Sequence, residues 1–204
     1  CAGVSASCAG NAQGSYDYYI SKYNSSGTWQ WTQQLGETGT GSFGGVLTID
    51  ATGNVYVAGA TEGNLISCSG VSASCVGSSQ GTADSYISKY NSSGAWQWTQ
   101  QLGETGKYTE TNGIVADPSG NIYVSGTTEG NFISCAGVSA SCVGNSQGVS
   151  DYFISKYDSS GAWQWTQQLG ETGKTTYGGV LSLDAAGNIY IAGATEGNLV
   201  SCSG

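Results

Sequence analysis

From Asp17 to Tyr23 the side chains alternate, with Tyr18, Ile20 and Lys22 set against Tyr19, Ser21 and Tyr23, and the run stops at Asn24-Ser25-Ser26-Gly27. A two-residue period rich in aromatic and β-branched residues, closed by turn formers, predicts a strand and its turn. Thr28 to Leu35 continues the alternation. It sets Trp29, Trp31, Gln33 and Leu35 on one predicted face and Gln30, Thr32 and Gln34 on the other. After a Gly-rich stretch from Gly36 to Gly45, Val46 to Asp50 reads as a third strand. Asp50-Ala51-Thr52-Gly53 then turns the chain into a fourth, Asn54 to Ala60, because Asp accepts hydrogen bonds from the backbone ahead and Gly tolerates positive φ. The predicted unit is a four-stranded antiparallel meander, followed by a crossing of roughly 25 residues through Glu62-Gly63-Asn64 and a Cys-containing segment.

The same pattern is written three times. Cys1, Cys68 and Cys135 open successive 67-residue copies, 1–67, 68–134 and 135–201, and residues 202–204 begin a fourth. Residues 88–106 recur at 155–173 with a single change, Asn91 to Asp158. A fixed period of this size marks a repeat architecture, in which each unit packs on its neighbours. The expected fold is all-β: tandem four-stranded meanders resembling β-propeller blades, with each long crossing carrying the chain from one blade to the next. Propellers close with about four to eight blades, so three units leave the ring open. The expectation is then a longer array, two chains meeting as six blades, or units stacking head to tail.

Composition narrows the partners. Charged residues are 9% of the chain, against roughly 25% in an average soluble domain, so the surface is mostly neutral and polar. A net charge of −9 with only five basic residues removes the electrostatic basis for binding nucleic acid or an anionic membrane. No apolar run approaches the roughly 18 residues of a membrane span, so no membrane insertion is expected. Seven Cys with no His, paired as Cys-x6-Cys, do not fit the usual zinc spacing, and disulfides in an oxidising compartment are the expectation.

One set of residues also carries a resemblance. Asp17-Tyr18-Tyr19-Ile20-Ser21-Lys22-Tyr23-Asn24-Ser25-Ser26-Gly27, then Trp31 and Gln34-Leu35-Gly36, then Asp50-x-x-Gly53-Asn54-Val55-Tyr56-Val57-x-Gly59, resembles the bacterial beta-propeller repeat of large secreted and cell-surface proteins. The resemblance implies a propeller fold, an extracellular setting and a role as scaffold or binding platform, with no catalytic residues to carry over. The segment Cys1-Ala2-Gly3-Val4-Ser5-Ala6-Ser7-Cys8 and its copies look like an addition to that repeat.

Several residue sets are candidates for more specific roles. The cysteines Cys1, Cys8, Cys68, Cys75, Cys135, Cys142 and Cys202 allow local pairs (1 with 8, 68 with 75, 135 with 142) or bracketing pairs (8 with 68, 75 with 135, 142 with 202). Loop entropy gives about 2.5 kcal/mol for the short closure and about 4.3 for the long one, which does not decide between them. The local pairs need no assumption about the path of the crossing segment and are preferred on that ground. Trp29, Trp96 and Trp163 suggest stacking on sugar rings, against the plainer role of packing one blade on the next. Glu62 and Asn64, with Glu129, Asn131, Glu196 and Asn198, are the nearest approach to calcium ligands, although no Asp-x-Asp-x-Asp-Gly run is present. Asn24 and Asn91 begin N-glycosylation patterns that equally fit a hairpin turn.

Without His, and with no base near its many Ser, the chain offers no activated nucleophile, so no enzymatic activity and no cofactor are expected. The functional expectation is a non-catalytic, extracellular structural repeat, stapled by disulfides and self-associating in a cell-surface or fibrous assembly. A multivalent module binding glycans is the second reading.

Overall fold

The computed structural model describes residues 14–65, 75–76, 81–131, 142–143 and 148–199. Among these every regular element is a strand: β1 (Tyr18–Tyr23), β2 (Trp29–Leu35), β3 (Ser42–Ile49), β4 (Val55–Thr61), β5 (Cys75–Val76), β6 (Asp84–Tyr90), β7 (Trp96–Leu102) and β8 (Thr109–Ala116). They continue with β9 (Ile122–Thr128), β10 (Cys142–Val143), β11 (Asp151–Tyr157), β12 (Trp163–Leu169), β13 (Thr176–Tyr177), β14 (Leu181–Leu183), β15 (Ile189–Ile191) and β16 (Ala194–Thr195). No helix among the described residues is long and apolar enough to cross a membrane.

The four main strands of each copy form where the alternation places them, but the four do not make one sheet: the first pairs with the second and the third with the fourth, and the two pairs of a copy go to different sheets. One sheet runs β3-β4-β6-β7-β5 and the next β8-β9-β11-β12-β10, so each is built from the second half of one copy and the first half of the following one. The long crossing therefore joins two adjacent strands of the same sheet, β4 and β6, which pair antiparallel from Val55–Tyr90 to Thr61–Asp84. The passage between sheets is the short Gly-containing link 103–108, which leads from the outer strand β7 to the first strand of the next sheet, β8. Six residues reach roughly 20 Å when extended, enough to cross the roughly 14 Å of three strand spacings. Burial explains why the pairing runs this way. β4 is buried at all seven positions and needs a neighbour on both edges.

The Cys-containing crossing contributes a fifth, two-residue strand. β5 lies parallel to β7, with Cys75 opposite Thr99, and β10 repeats this with Cys142 opposite Thr166. Cys1, Cys8, Cys68, Cys135 and Cys202 lie outside the described residues, and both proposed pairing schemes involve them.

Consecutive sheets stack through two apolar layers. Tyr18 and Ile20 of the first sheet meet Val55, Val57, Tyr86 and Tyr90 of the second, with Trp31, Leu35 and Trp96 at the margin. Tyr56, Ala58, Ile87 and Trp98, on the opposite face of that second sheet, meet Ile122, Val124, Phe153 and Tyr157 of the third, with Trp163 at the margin. Both faces of the second sheet are thus covered, as blade packing requires. The two ends are half-sheets: β1 pairs only with β2, and β14 and β13 pair only with β15 and β16.

Candidate functional site

The paired Trp residues do not share a face. In β2 the register steps from Lys22–Trp31 to Tyr23–Trp29, so Gln30 is an extra residue, a β-bulge, and the same shift recurs in β7 and β12. One inserted residue reverses the side-chain alternation beyond it. Trp29 consequently joins Thr32 and Gln34, contrary to the strict alternation read from the sequence. Its indole N–H donates to Thr32 Oγ1 at 2.9 Å, as Trp96 does to Thr99 at 3.1 Å and Trp163 to Thr166 at 2.9 Å. Each of these Thr hydroxyls also bonds a Ser across the pair, Ser21, Ser88 or Ser155, at 2.7 to 2.8 Å.

The other Trp of each pair faces the following blade. Trp98 is buried, and its indole N–H, like that of Trp31, finds no acceptor among the described residues. What covers Trp31 is a turn: a Cβ built on Gly94 would lie 2.8 Å from the indole, and Gly161 stands 3.0 Å from Trp98 in the same way. Lys22 reaches the same turn and donates to the Ser92 carbonyl at 3.0 Å, as Lys89 does to Ser159 at 2.9 Å. These turns read Asn-Ser-Ser-Gly at 91–94 and Asp-Ser-Ser-Gly at 158–161. Asn91 Oδ1 accepts from the backbone N–H of Ser93 and Ala95, and Gly94 takes φ +85°. Asp158 makes the equivalent bonds to Ser160 and Ala162, which is why the change at that position leaves the turn intact.

The candidate sugar-stacking residues are placed accordingly. Trp96 and Trp163 are half-buried and pack against the two apolar layers, whereas Trp29 is 55% exposed. Its counterparts are covered by the preceding blade, so its exposure reflects the open side of the first half-sheet.

The repeated acids act on the backbone around them. Asp84 and Asp151 are fully buried; each accepts from a Gly N–H, of Gly81 or Gly148, at 2.8 Å, and from Gln101 or Gln168 at 3.0 to 3.1 Å. The same glutamines donate to the carbonyls of Gly63 and Gly130 at 2.9 Å. Gln101 and Gln168 of the amide-rich face thus find their partners inside their own sheet, in the loop that follows β4 or β9 and at the first residue of β6 or β11. Glu37 accepts from Asn64 N–H, Glu104 from Asn131 N–H and Glu171 from Asn198 N–H. Glu62, Glu129 and Glu196 accept from the N–H of Gly41, Tyr108 and Thr175. Among the described residues no three Cys, Asp or Glu side chains come together as a metal-holding group. The calcium candidates Glu62, Glu129 and Glu196 serve here as loop fasteners, while Asn64, Asn131 and Asn198 use their main-chain N–H groups on Glu37, Glu104 and Glu171.

The Asp-x-x-Gly-Asn turns form as their residues dictate. Asp50 Oδ1 accepts from Thr52 and Asn54 backbone N–H, and Gly53 takes φ +83°. Partial burial pushes the Asp50 carboxyl up, but bonds from the Asn54 side chain, Thr52, the Asn54 backbone and Tyr56 outweigh it and hold the group well below the usual carboxylate range. At the first blade junction, Tyr18 stacks on Tyr86 with centroids 4.8 Å apart, and its hydroxyl pairs with that of Tyr90 at 2.8 Å. Burial pushes the Tyr90 phenol up to about 12.

Antiparallel four-strand sheets stacked face to face, each locked to the next by a turn pressed on a Trp, are the blades of an open β-propeller. The beta-propeller repeat family matches residues 30–66, 97–133 and 164–199, more than half of the chain, and the chain belongs to that family. It is also similar to an uncharacterized WD repeat-containing protein of Acanthamoeba polyphaga mimivirus, 25% identical over 175 residues, which cover 80% of this chain. The matched region spans 12% of that relative's length.

Proposed function

We propose that this propeller repeat module is a non-catalytic, extracellular structural element that associates with further copies of itself in a disulfide-secured assembly on a bacterial surface or in a fibre. The carrying observation is the way the copies interlock: each blade takes half its strands from one copy and half from the next. Repeated contact between such units needs only a single type of interface, the one that already joins successive blades within the chain. The repeated acids are occupied in fastening loops, which supports a scaffold over an enzyme. Seven Cys in so small a chain support an oxidising, extracellular compartment.

The test is thiol alkylation of the non-reduced protein followed by intact mass measurement. A secreted, disulfide-secured module should keep at most one reactive thiol per chain, since seven is odd. Seven alkylated thiols in protein taken directly from its native source would defeat the reading. Glycan binding through Trp29, Trp96 and Trp163 is the weaker alternative, because two of the three are packed between blades.

A further inference from the structure

The three copies are nearly identical in their strands, so the halves of a blade carry little that tells one copy from another. Several of the differences that do exist lie where consecutive sheets meet, on and around β3 and β8. Tyr18, Ser85 and Tyr152 hold the same place in successive copies, and Gly44, Thr111 and Gly178 stand twenty-six residues after them, on the first strand of the following sheet. The two positions change in step. Gly44 lies against Tyr18: a Cβ built on it would stand 3.2 Å from the Tyr18 Cβ, and the buried Tyr18 ring stacks on Tyr86. Where the small Ser85 replaces the tyrosine, Thr111 replaces the glycine; both are buried, and their hydroxyls bond each other across the junction. Tyr152 is again followed by a glycine, Gly178.

A second set of differences matches in the same way. Ala58 and Ala60 of β4 have Ser125 and Thr127 as their counterparts in β9. The sheet that follows β4 brings Thr111 and Asn112 to the junction, and the one that follows β9 brings Gly178 and Gly179. There Ser125 Oγ donates to the Gly179 carbonyl at 2.6 Å, and the Gly178 N–H donates to Thr127 Oγ1 at 3.2 Å. A Cβ on Gly178 would lie 2.1 Å from the Gly126 carbonyl oxygen, so position 178 has no room for the threonine that position 111 holds. Hydroxyls on one side of a junction meet bare backbone on the other, and alanines stand opposite side chains.

We infer that these matched residues are the specificity determinants of blade stacking: Tyr18 with Gly44, Ser85 with Thr111, and Ser125 and Thr127 with Gly179 and Gly178 decide which sheet stacks on which. A strand of the Thr111 type behind Tyr18 drives its side chain into the tyrosine. A strand of the Gly44 type behind Ser85 leaves a void and a buried hydroxyl without its partner. Attraction common to all junctions cannot discriminate among near-identical repeats, whereas the cost of a mismatch can. The blades therefore assemble in one order although their strands are alike in outline. These contacts lie inside one chain, so the inference is independent of the association between copies proposed above.

The experiment is a pair of double-variant cycles on the full chain in reductant, read by urea denaturation with far-UV circular dichroism. At the first junction, Gly44→Thr should raise the unfolding constant about tenfold in the unmodified chain, where Tyr18 fills the space. In a Tyr18→Ser background the same Gly44→Thr change should lower it, because the two hydroxyls can pair as those of Ser85 and Thr111 do. At the second junction, Ser85→Tyr and Thr111→Gly should each raise the unfolding constant about tenfold, and together they should return it to within about threefold of the unmodified chain. The introduced ring would find Phe153 and Tyr157 where Tyr18 has Tyr86 and Tyr90. A Ser85→Tyr chain that fails to fold and is restored by Thr111→Gly supports the inference equally. Gly44→Thr acting alike in both backgrounds would overturn it. So would a double variant at 85 and 111 that is unfolded or as weak as the product of its singles.

Discussion

Substituting Gly94 by Ala tests whether the blades are locked by a turn pressed on a Trp, and the chain contains its own control in Gly27. Both residues occupy the same place in an Asn-Ser-Ser-Gly turn and both are left-handed, at φ +85° and +79°. A Cβ at Gly27 would meet nothing within 4 Å, whereas one at Gly94 would lie 2.8 Å from the Trp31 indole. An L-residue in the left-handed region costs about 1–2 kcal/mol, offset by about 0.4–1 kcal/mol from the stiffer unfolded chain. Gly27→Ala should therefore destabilise by about 1 kcal/mol. Gly94→Ala carries the same backbone cost plus about 1–3 kcal/mol of overpacking against a ring held between two blades. The predicted total is about 2–4 kcal/mol. Urea denaturation followed by Trp fluorescence measures both. A difference between the two variants below about 0.5 kcal/mol would refute the locking role of the turn. Gly161→Ala, against Trp98 at 3.0 Å, should follow Gly94→Ala.

Thr99→Val removes the shared partner of the Trp96 indole and the Ser88 hydroxyl in a buried position. It should cost about 1–3 kcal/mol by denaturation, and Thr32→Val, at the partly exposed end, less. Asp50, Asp117, Asp158 and Asp184 are all held below their ordinary value of 3.8 by turn hydrogen bonds, so the folded chain binds their protons less readily than the unfolded chain. Their contribution is complete above about pH 4 and is lost as pH falls below it. Urea midpoints should hold steady from pH 7 to 5 and drop by pH 3, and Asp50→Asn should drop less. Burial raises the phenols of Tyr18, Tyr86, Tyr90 and Tyr157, so their stabilisation is complete below about pH 10 and fades as pH climbs through the Tyr90 value of about 12. In an alkaline absorbance titration these groups should ionise together with loss of the β-sheet signal rather than before it.

The strands were legible because each has a clear two-residue period and each turn carries its own chemistry, as at Asp50-Ala51-Thr52-Gly53. The pairing was not. Connection length suggested that the longest segment leaves the blade, yet a six-residue link is long enough to cross from the outer strand to the next blade. The better signal lay in β4, whose small and apolar run Val55-Tyr56-Val57-Ala58-Gly59-Ala60 has no polar alternation and so marks a central strand with neighbours on both edges. The faces of the Trp pairs were misread for a second reason: a bulge at Gln30 leaves no mark in an alternating sequence. Its trace is chemical, in that Trp29 and Thr32, three residues apart, become hydrogen-bond partners. The acids were readable as repeated positions, but their role depends on Gly14, Gly41 and Gly81 and their like, whose N–H groups meet the carboxylates only in the folded loops.

The central claim is that each blade is shared between successive repeats of the chain, and the proposal built on it is that the module associates with further copies of itself. Electron microscopy of the purified protein, with and without reductant, tests it most directly. The proposal predicts assemblies of many copies in rings or continuous runs of blades, and no isolated arcs. A field of single arcs, each with two complete blades and two frayed ends under both conditions, would contradict it.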